Sequence, residues 1–245
     1  MRNAEFNDPR LVAVYDAECP WGRDDDFFLA EVGEAAEARV LDFGCGTGRL
    51  ALALAAAGHT VTGVDPARAS LEAARAKPGA DRVTWVEGGW EVLPTGPYDV
   101  ALMTSHVAQF VVDDEEWRQV LAALRRALRT GGRLLFDSRD PADRRWERWN
   151  PVDSRRSVHL PAGPVVLTWT DVTAVRDGVV HFTRHYRFGD DELRGEAMLR
   201  FRTEQELRGC LDEAGFRVER IHGGWQGEPV GVGDDGEFVV VATAV

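Results

Sequence analysis

Between residues 42 and 65 the chain carries an aspartate, three glycines spaced by single residues, and a second aspartate: Asp42, Gly44, Gly46, Gly48 and Asp65. Glycine suits a turn whose backbone is pressed against a ligand, because a Cβ would hold the ligand off. A helix that opens on such a turn also points unpaired N–H groups at it. A dinucleotide-binding turn would place its third glycine at position 49, where this chain has Arg49. Asp65, at the end of the strand that follows, can accept hydrogen bonds from both hydroxyls of a ribose, a role common to several nucleotide cofactors. Asp42 discriminates further: a carboxylate behind the turn attracts an ammonium group and repels a pyrophosphate. The chemistry indicated is recognition of a nucleoside that carries an amino group.

These residues need elements to position them. Arg39 to Phe43 reads as a short buried strand, Arg49 to Ala57 as a helix stopped by Gly58, and Thr60 to Val64 as a second strand. A helix from Pro66 to about Lys77 follows, then strands at Val83 to Val86 and Tyr98 to Thr104. Trp117, Val120, Leu121, Leu124 and Leu128 recur at helical spacing, with Gly131-Gly132 closing that segment before a fifth strand at Leu134 to Phe136. Alternating strands and amphipathic helices require a parallel sheet covered on both faces, a doubly wound α/β fold. After Asp137 the period changes to two. Val165 to Val175, Val179 to Phe188 and Leu193 to Phe201 predict an antiparallel β insertion, with Asp177-Gly178 as a hairpin turn. Thr203 and Glu206 form a capping box for a last helix, and Arg217 to Ile221 and Phe238 to Val245 close the sheet.

With 245 residues, 44% of them hydrophobic, the chain is long enough for one full α/β domain with an insertion. A formal net charge of −12 repels polyanions, so neither nucleic acid nor an anionic membrane is an expected partner. Cys19, Cys45 and Cys210 have no paired or metal-type spacing, and no apolar run is long enough to span a bilayer. A cytoplasmic location is expected. His181 and His185 lie about 13 Å apart along a strand, too far to share an ion, and no metal is expected.

Leu41-Asp42-Phe43-Gly44-Cys45-Gly46-Thr47-Gly48 resembles the first motif of the class I S-adenosylmethionine-dependent methyltransferases, and the likeness extends through Val64-Asp65-Pro66, Tyr98-Asp99-Val100 and Leu128 to Leu134. It covers roughly residues 38 to 140. The resemblance implies a mostly parallel, seven-stranded Rossmann-like sheet and S-adenosyl-L-methionine as cofactor. It implies that Gly44, Cys45, Gly46 and Gly48 lie along the methionine part, that Arg49 reaches its carboxylate, that Asp65 with Pro66 holds the ribose, and that Thr104 and Ser105 line the site. An N-terminal segment that folds over the cofactor makes Tyr15 and Trp21 lid candidates. One departure matters. The family often carries an acid after the third strand to bind the adenine amino group, whereas this chain reads Gly88-Gly89-Trp90. Trp90 is then a candidate to stack on adenine with its own N–H bonding the ring, and a plain core tryptophan is the alternative.

Methyl transfer from a sulfonium is an in-line displacement in which the protein aligns the partners and excludes water; a base is needed only where the acceptor must lose a proton. His106, just after the fourth strand, is the best-placed base, with local packing as its alternative. Gln109 is a candidate to orient an acceptor and Arg139 to grip a carboxylate. The expected organisation is residues 1–37 as lid helices, 38–140 and 203–245 as the cofactor-binding domain, and 141–202 as the insertion, forming either an acceptor pocket or a homodimer surface. The expected activity is methylation of a small-molecule acceptor. Methylation of a protein side chain, or cofactor binding without transfer, stays open.

Overall fold

The computed structural model describes residues 3–33, 37–161 and 163–245; residues 1, 2 and 34–36 of the expected lid segment lie outside it. Three helices lead: α1 (Ala4–Asn7), α2 (Pro9–Glu18) and α3 (Arg23–Gly33). There follow β1 (Arg39–Phe43), α4 (Arg49–Ala56), β2 (Thr60–Asp65), α5 (Arg68–Arg75), β3 (Val83–Glu87), β4 (Tyr98–Met103), α6 (Val107–Phe110), α7 (Asp114–Ala127) and β5 (Leu128–Arg139). A second run holds β6 (Arg156–His159), β7 (Val165–Arg176), β8 (Val179–Phe188) and β9 (Asp191–Arg200). The chain closes with α8 (Glu204–Glu213), β10 (Phe216–His222) and β11 (Glu237–Ala244).

Seven strands form one sheet in the order β10-β11-β5-β4-β1-β2-β3. All pairs are parallel except β11, which runs antiparallel to both β5 and β10. The strand order reverses between β4 and β1, so their carboxyl ends open a crevice where ligands bind in sheets of this kind. β11 is buried along its whole length, which is why Phe238 to Ala242 is an unbroken apolar run instead of an alternating one. The four strands β6 to β9 make a separate antiparallel sheet. Its β7–β8 hairpin turns at Asp177 and Gly178 with φ of 52° and 74°, the two left-handed residues that a tight primed turn requires. The capping box at Thr203 and Glu206 forms as its spacing predicts.

Two local expectations change. Gly131-Gly132 does not close the helix: α7 ends at Ala127, β5 begins at Leu128, and the pairing with β4 jumps from Tyr98–Leu128 to Val100–Arg133. The intervening residues bulge out of the strand, and Gly132 is held within it because a Cβ there would lie 2.9 Å from the Arg129 carbonyl oxygen. The helix after β2 starts at Arg68 instead of Pro66, since the Asp65 carboxylate accepts the Ala67 N–H at 2.8 Å and holds the first turn open. Among the described residues no helix is long and apolar enough to cross a membrane.

Candidate active site

The glycine turn leaves β1 with Gly44, Gly46 and Gly48 all at positive φ (78°, 53° and 77°). The three glycines serve different ends. A Cβ on Gly44 would lie 2.5 Å from Val107 and one on Gly48 2.4 Å from the Trp85 ring, so these two let the turn pack against the protein. A Cβ on Gly46 would meet nothing within 4 Å among the described residues, and its absence leaves open space beside the cavity that the turn lines. Gly48→Ala is therefore expected to lower stability by roughly 2–4 kcal/mol through overpacking and strain. Gly46→Ala should cost only about 1 kcal/mol of fold but weaken cofactor binding. Thermal melts paired with cofactor titration check both.

That cavity, of about 380 Å³, is lined by Asp42, Gly44, Cys45, Gly46, Thr47, Arg49, Asp65, Pro66, Thr104 and Ser105 at the strand ends, and by Asn3, Phe6 and Tyr15 from the leading helices. Asp65 is buried, and each carboxylate oxygen accepts one backbone N–H: Oδ2 from Gly46 and Oδ1 from Ala67, both at 2.8 Å. Asp42 is buried behind the turn. Burial, reinforced by Asp65, pushes its carboxyl up to about 7, and its Oδ1 has no hydrogen-bond partner among the described residues. Burial likewise holds the Cys45 thiol protonated.

The leading helices are tied to the turn. Arg49 donates to Asp25 at 3.0 Å, to the Cys19 carbonyl, and to Ser105 at 3.3 Å. Thr47 donates to Asp16, and Lys77 reaches Asp16 at 2.8 Å. Tyr15 lines the cavity. Trp21 does not: it is 42% exposed, with its indole N–H on Asp26. Gly89 and Trp90 are also absent from the lining, and Trp90 packs against the core beneath α7, the plainer of its two readings.

A second cavity of about 510 Å³ shares Phe6, Tyr15, Arg49, Ser105 and Phe110 with the first, and β7 and β8 wall its far side with Thr168, Trp169, Thr170, Phe182 and Arg184. His106 and Arg139 line it as well. Gln109 does not; it is buried and accepts the Arg139 guanidinium at 2.9 Å, so it fixes that arginine from behind. Ser105 and His106 both adopt left-handed backbone (φ 57° and 65°), strain that is sustained by the His106 N–H donating to Asp137 at 2.9 Å. The imidazole Nε2 meets Glu237 at 2.9 Å and Asp137 at 3.2 Å. Burial, with Arg139 nearby, pushes the imidazole down to about 3 and keeps it neutral. Burial raises Asp137 to about 6 and Glu237 to about 8, so the three groups share protons as one unit.

Several lining residues escaped the sequence reading: Asn3, Phe6 and Glu5 on the first helix, and Glu18, Trp169 and Arg184 around the second cavity. The signal available for the strand residues was Thr168 and Thr170 on either side of Trp169; Arg184, between Thr183 and His185, gave none. The first helix is only four residues long and gives no periodic signal.

A doubly wound sheet with two buried acids, Asp42 and Asp65, beside a glycine turn that lines a cavity is the frame of a nucleoside-binding site. Residues 40–132 match the family model for the methyltransferase domain. A cypemycin N-terminal methyltransferase from a Streptomyces species is 32% identical over 192 residues, spanning 78% of this chain and 77% of that protein. A putative methyltransferase from a Geobacillus species is 34% identical over 112 residues, 44% of this chain and 45% of the relative. Among solved structures, the CcbJ methyltransferase from Streptomyces caelestis superposes with a TM-score of 0.77 over 100% of this chain and 98% of its own, at 22% identity. The S-adenosylmethionine-bound CalS10, an amino pentose methyltransferase from Micromonospora echinaspora, gives 0.69 over 96% of each chain at 21% identity. At those identities the structural likeness is one of fold. The chain belongs to the class I S-adenosylmethionine-dependent methyltransferases.

The cavity fits that cofactor: the unpartnered buried oxygen of Asp42 suits the ammonium, and the empty space over Gly46 admits the ligand against the turn. When bound, the cofactor supplies a methyl group already activated on a sulfonium. Nothing in the comparisons favours a binding protein without transfer, or a nicotinamide cofactor.

Proposed function

We propose that this enzyme methylates an amino nitrogen of a small-molecule acceptor held in the second cavity, with residues 141–202 serving as the acceptor wall and the leading helices as its cover. The observation that carries the reading is the lining of that cavity, which combines aromatic rings with acids and opens directly onto the cofactor cavity. Tyr15, Trp149, Trp169 and Phe182 supply π-faces, and of the acids Glu18 is paired with Arg184 and Asp24 with Arg49, which leaves Glu5 to meet a donor on the acceptor. Glu5 is buried, with one carboxylate oxygen lacking any partner among the described residues, so a donor group on the acceptor would complete it. In this reading the second sheet serves the pocket. The relatives support this reading: the Streptomyces protein is an N-terminal methyltransferase, CalS10 an amino pentose methyltransferase, and KedS8 from a Streptoalloteichus species a sugar N-methyltransferase.

An amine that enters as ammonium must lose a proton before its lone pair can attack. In this reading His106 relays that proton to Asp137, because it is the member of the His106–Asp137–Glu237 unit that faces the cavity and its ring, kept neutral by burial, does not hold the proton itself. Nε2 lies 3.2 Å from Asp137, the more readily ionised of the two acids beside it, which takes up the charge. In the same reading Arg139, steadied by Gln109, grips an anionic group of the acceptor. Incubation with labelled cofactor and a panel of amino sugars, short peptides with free amino termini and phenolic acceptors, read by mass spectrometry, tests the assignment. Transfer to phenolic oxygen alone would overturn it.

His106→Asn is expected to lower kcat at pH 7 about a hundredfold. The deficit should shrink at higher pH, where the acceptor arrives already deprotonated. A deficit unchanged across that range would assign His106 to packing.

A further inference from the structure

The cofactor offers hydrogen-bond donors at its ammonium group, at two ribose hydroxyls and at the exocyclic amino group of adenine. Asp42 answers the first and Asp65 the second pair. The third has no acid to meet it, since Gly88-Gly89-Trp90 carries none and neither Gly89 nor Trp90 reaches the cavity.

Of the described residues that line the cavity, two present a buried side-chain oxygen without a partner: Asp42 and Asn3. Asn3 stands just before α1, at φ 50°, a left-handed conformation that asparagine adopts at little cost. Its own N–H donates to the Glu196 carbonyl on β9 at 2.8 Å, and Asn7 donates to its carbonyl at 3.0 Å, so both of its main-chain polar groups are taken. α1 in turn is docked on α5, where the Ser70 hydroxyl donates to the Phe6 carbonyl at 3.0 Å. α5 begins just beyond Asp65. The ligand's own connectivity then fixes the order. With methionine along the glycine turn and ribose at Asp65, adenine would lie on the far side of the ribose, toward Pro66 and Ala67, which line the cavity together with Asn3.

We infer that Asn3 recognises the adenine of the cofactor, its side-chain oxygen accepting from the exocyclic amino group in place of the missing acid. An asparagine amide is well matched to that task, because it pairs an acceptor with a donor and adenine's amino edge presents the complementary pair. Helix α1 thereby carries residues toward both cavities: Asn3 toward the base, Glu5 toward the acceptor, and Phe6 between them.

Calorimetric titration of the full chain with S-adenosylhomocysteine and with its purine analogue, in which hydrogen replaces the amino group, tests the inference without any acceptor. The wild type should prefer the adenine ligand. Asn3→Ala should weaken that ligand about tenfold or more and leave the purine ligand nearly unchanged, so that the preference collapses. Asn3→Asp should keep it. Ser70→Ala, which loosens α1 without touching the base, should weaken both ligands by the same factor. If Asn3→Ala leaves the adenine ligand unaffected, or weakens both ligands equally, adenine is read elsewhere.

Discussion

Asp65→Asn is expected to raise the dissociation constant for S-adenosylhomocysteine by a hundredfold or more, the largest loss of cofactor affinity among single substitutions of the site. The reason lies in how its lone pairs are divided. Each carboxylate oxygen already accepts one backbone N–H, from Gly46 and from Ala67, and each keeps a free lone pair on the cavity side for one ribose hydroxyl. Hydrogen bonds to a charged acceptor contribute about 1.5–3 kcal/mol apiece, and losing two costs about 3–6 kcal/mol, which is at least a hundredfold in affinity. The amide compounds the loss. Its NH2 group would face one of the two backbone N–H donors, so either the glycine turn or the start of α5 must shift. Titration calorimetry measures the affinity, and circular dichroism checks that the fold persists. A loss below tenfold in a folded variant would mean that the ribose is held elsewhere.

Much of this site was legible in the chain because its constraints are local. Gly44 to Gly48 and Asp65 lie on one βαβ unit, where a strand, a turn and a helix follow one another and nothing distant is needed to place them. The doubly wound order was legible for the same reason. What stayed hidden depends on contacts between distant segments. Trp21 and Tyr15 look alike as aromatic residues in a leading segment, but only Tyr15 turns into the cavity. Trp21 faces solvent because Asp26, one turn into α3, captures its indole N–H. Gln109 and His106 are three residues apart around a single turn, and one is enclosed behind Arg139 while the other lines the cavity. The acceptor side is the least legible part. Its residues come from α1, α2, β7 and β8, which meet only after the second sheet has folded against the first helices, and alternation within a strand does not state what its covered face will cover. His106 was visible as a candidate base, but its partners were not: Asp137 and Glu237 sit at opposite edges of one β5–β11 pairing and are separated by a hundred residues of chain.

Asp42→Asn should act in two directions, stabilising the protein without ligand while weakening its hold on the cofactor. In the wild type the carboxyl is buried without a partner for Oδ1 and rests near Asp65, which together raise it from 3.8 to about 7. The folded state therefore holds its proton more tightly than the unfolded chain does. The stability this contributes is fully present below pH 3.8 and is lost as the pH climbs to about 7. At pH 8 the full linkage amounts to about 4 kcal/mol against the ligand-free protein. Asparagine removes the charge but keeps a buried amide with few partners, so a net gain on the order of 2 kcal/mol is expected at pH 8, and none at pH 4. Cofactor affinity moves the other way. In the wild type the ligand's ammonium restores the ionised form, so affinity should rise between pH 6 and pH 8; in the variant it should be weaker and flat across that range. Thermal melts at pH 4 and 8 with titrations at pH 6 and 8 separate the two effects. A variant less stable than the wild type at pH 8, together with a wild-type affinity indifferent to pH, would show that Asp42 serves the turn and not the ligand. The opposite pair of results would explain why an isolated acid is kept at the end of a buried strand: its cost to the empty enzyme becomes selectivity for a ligand that brings its own positive charge.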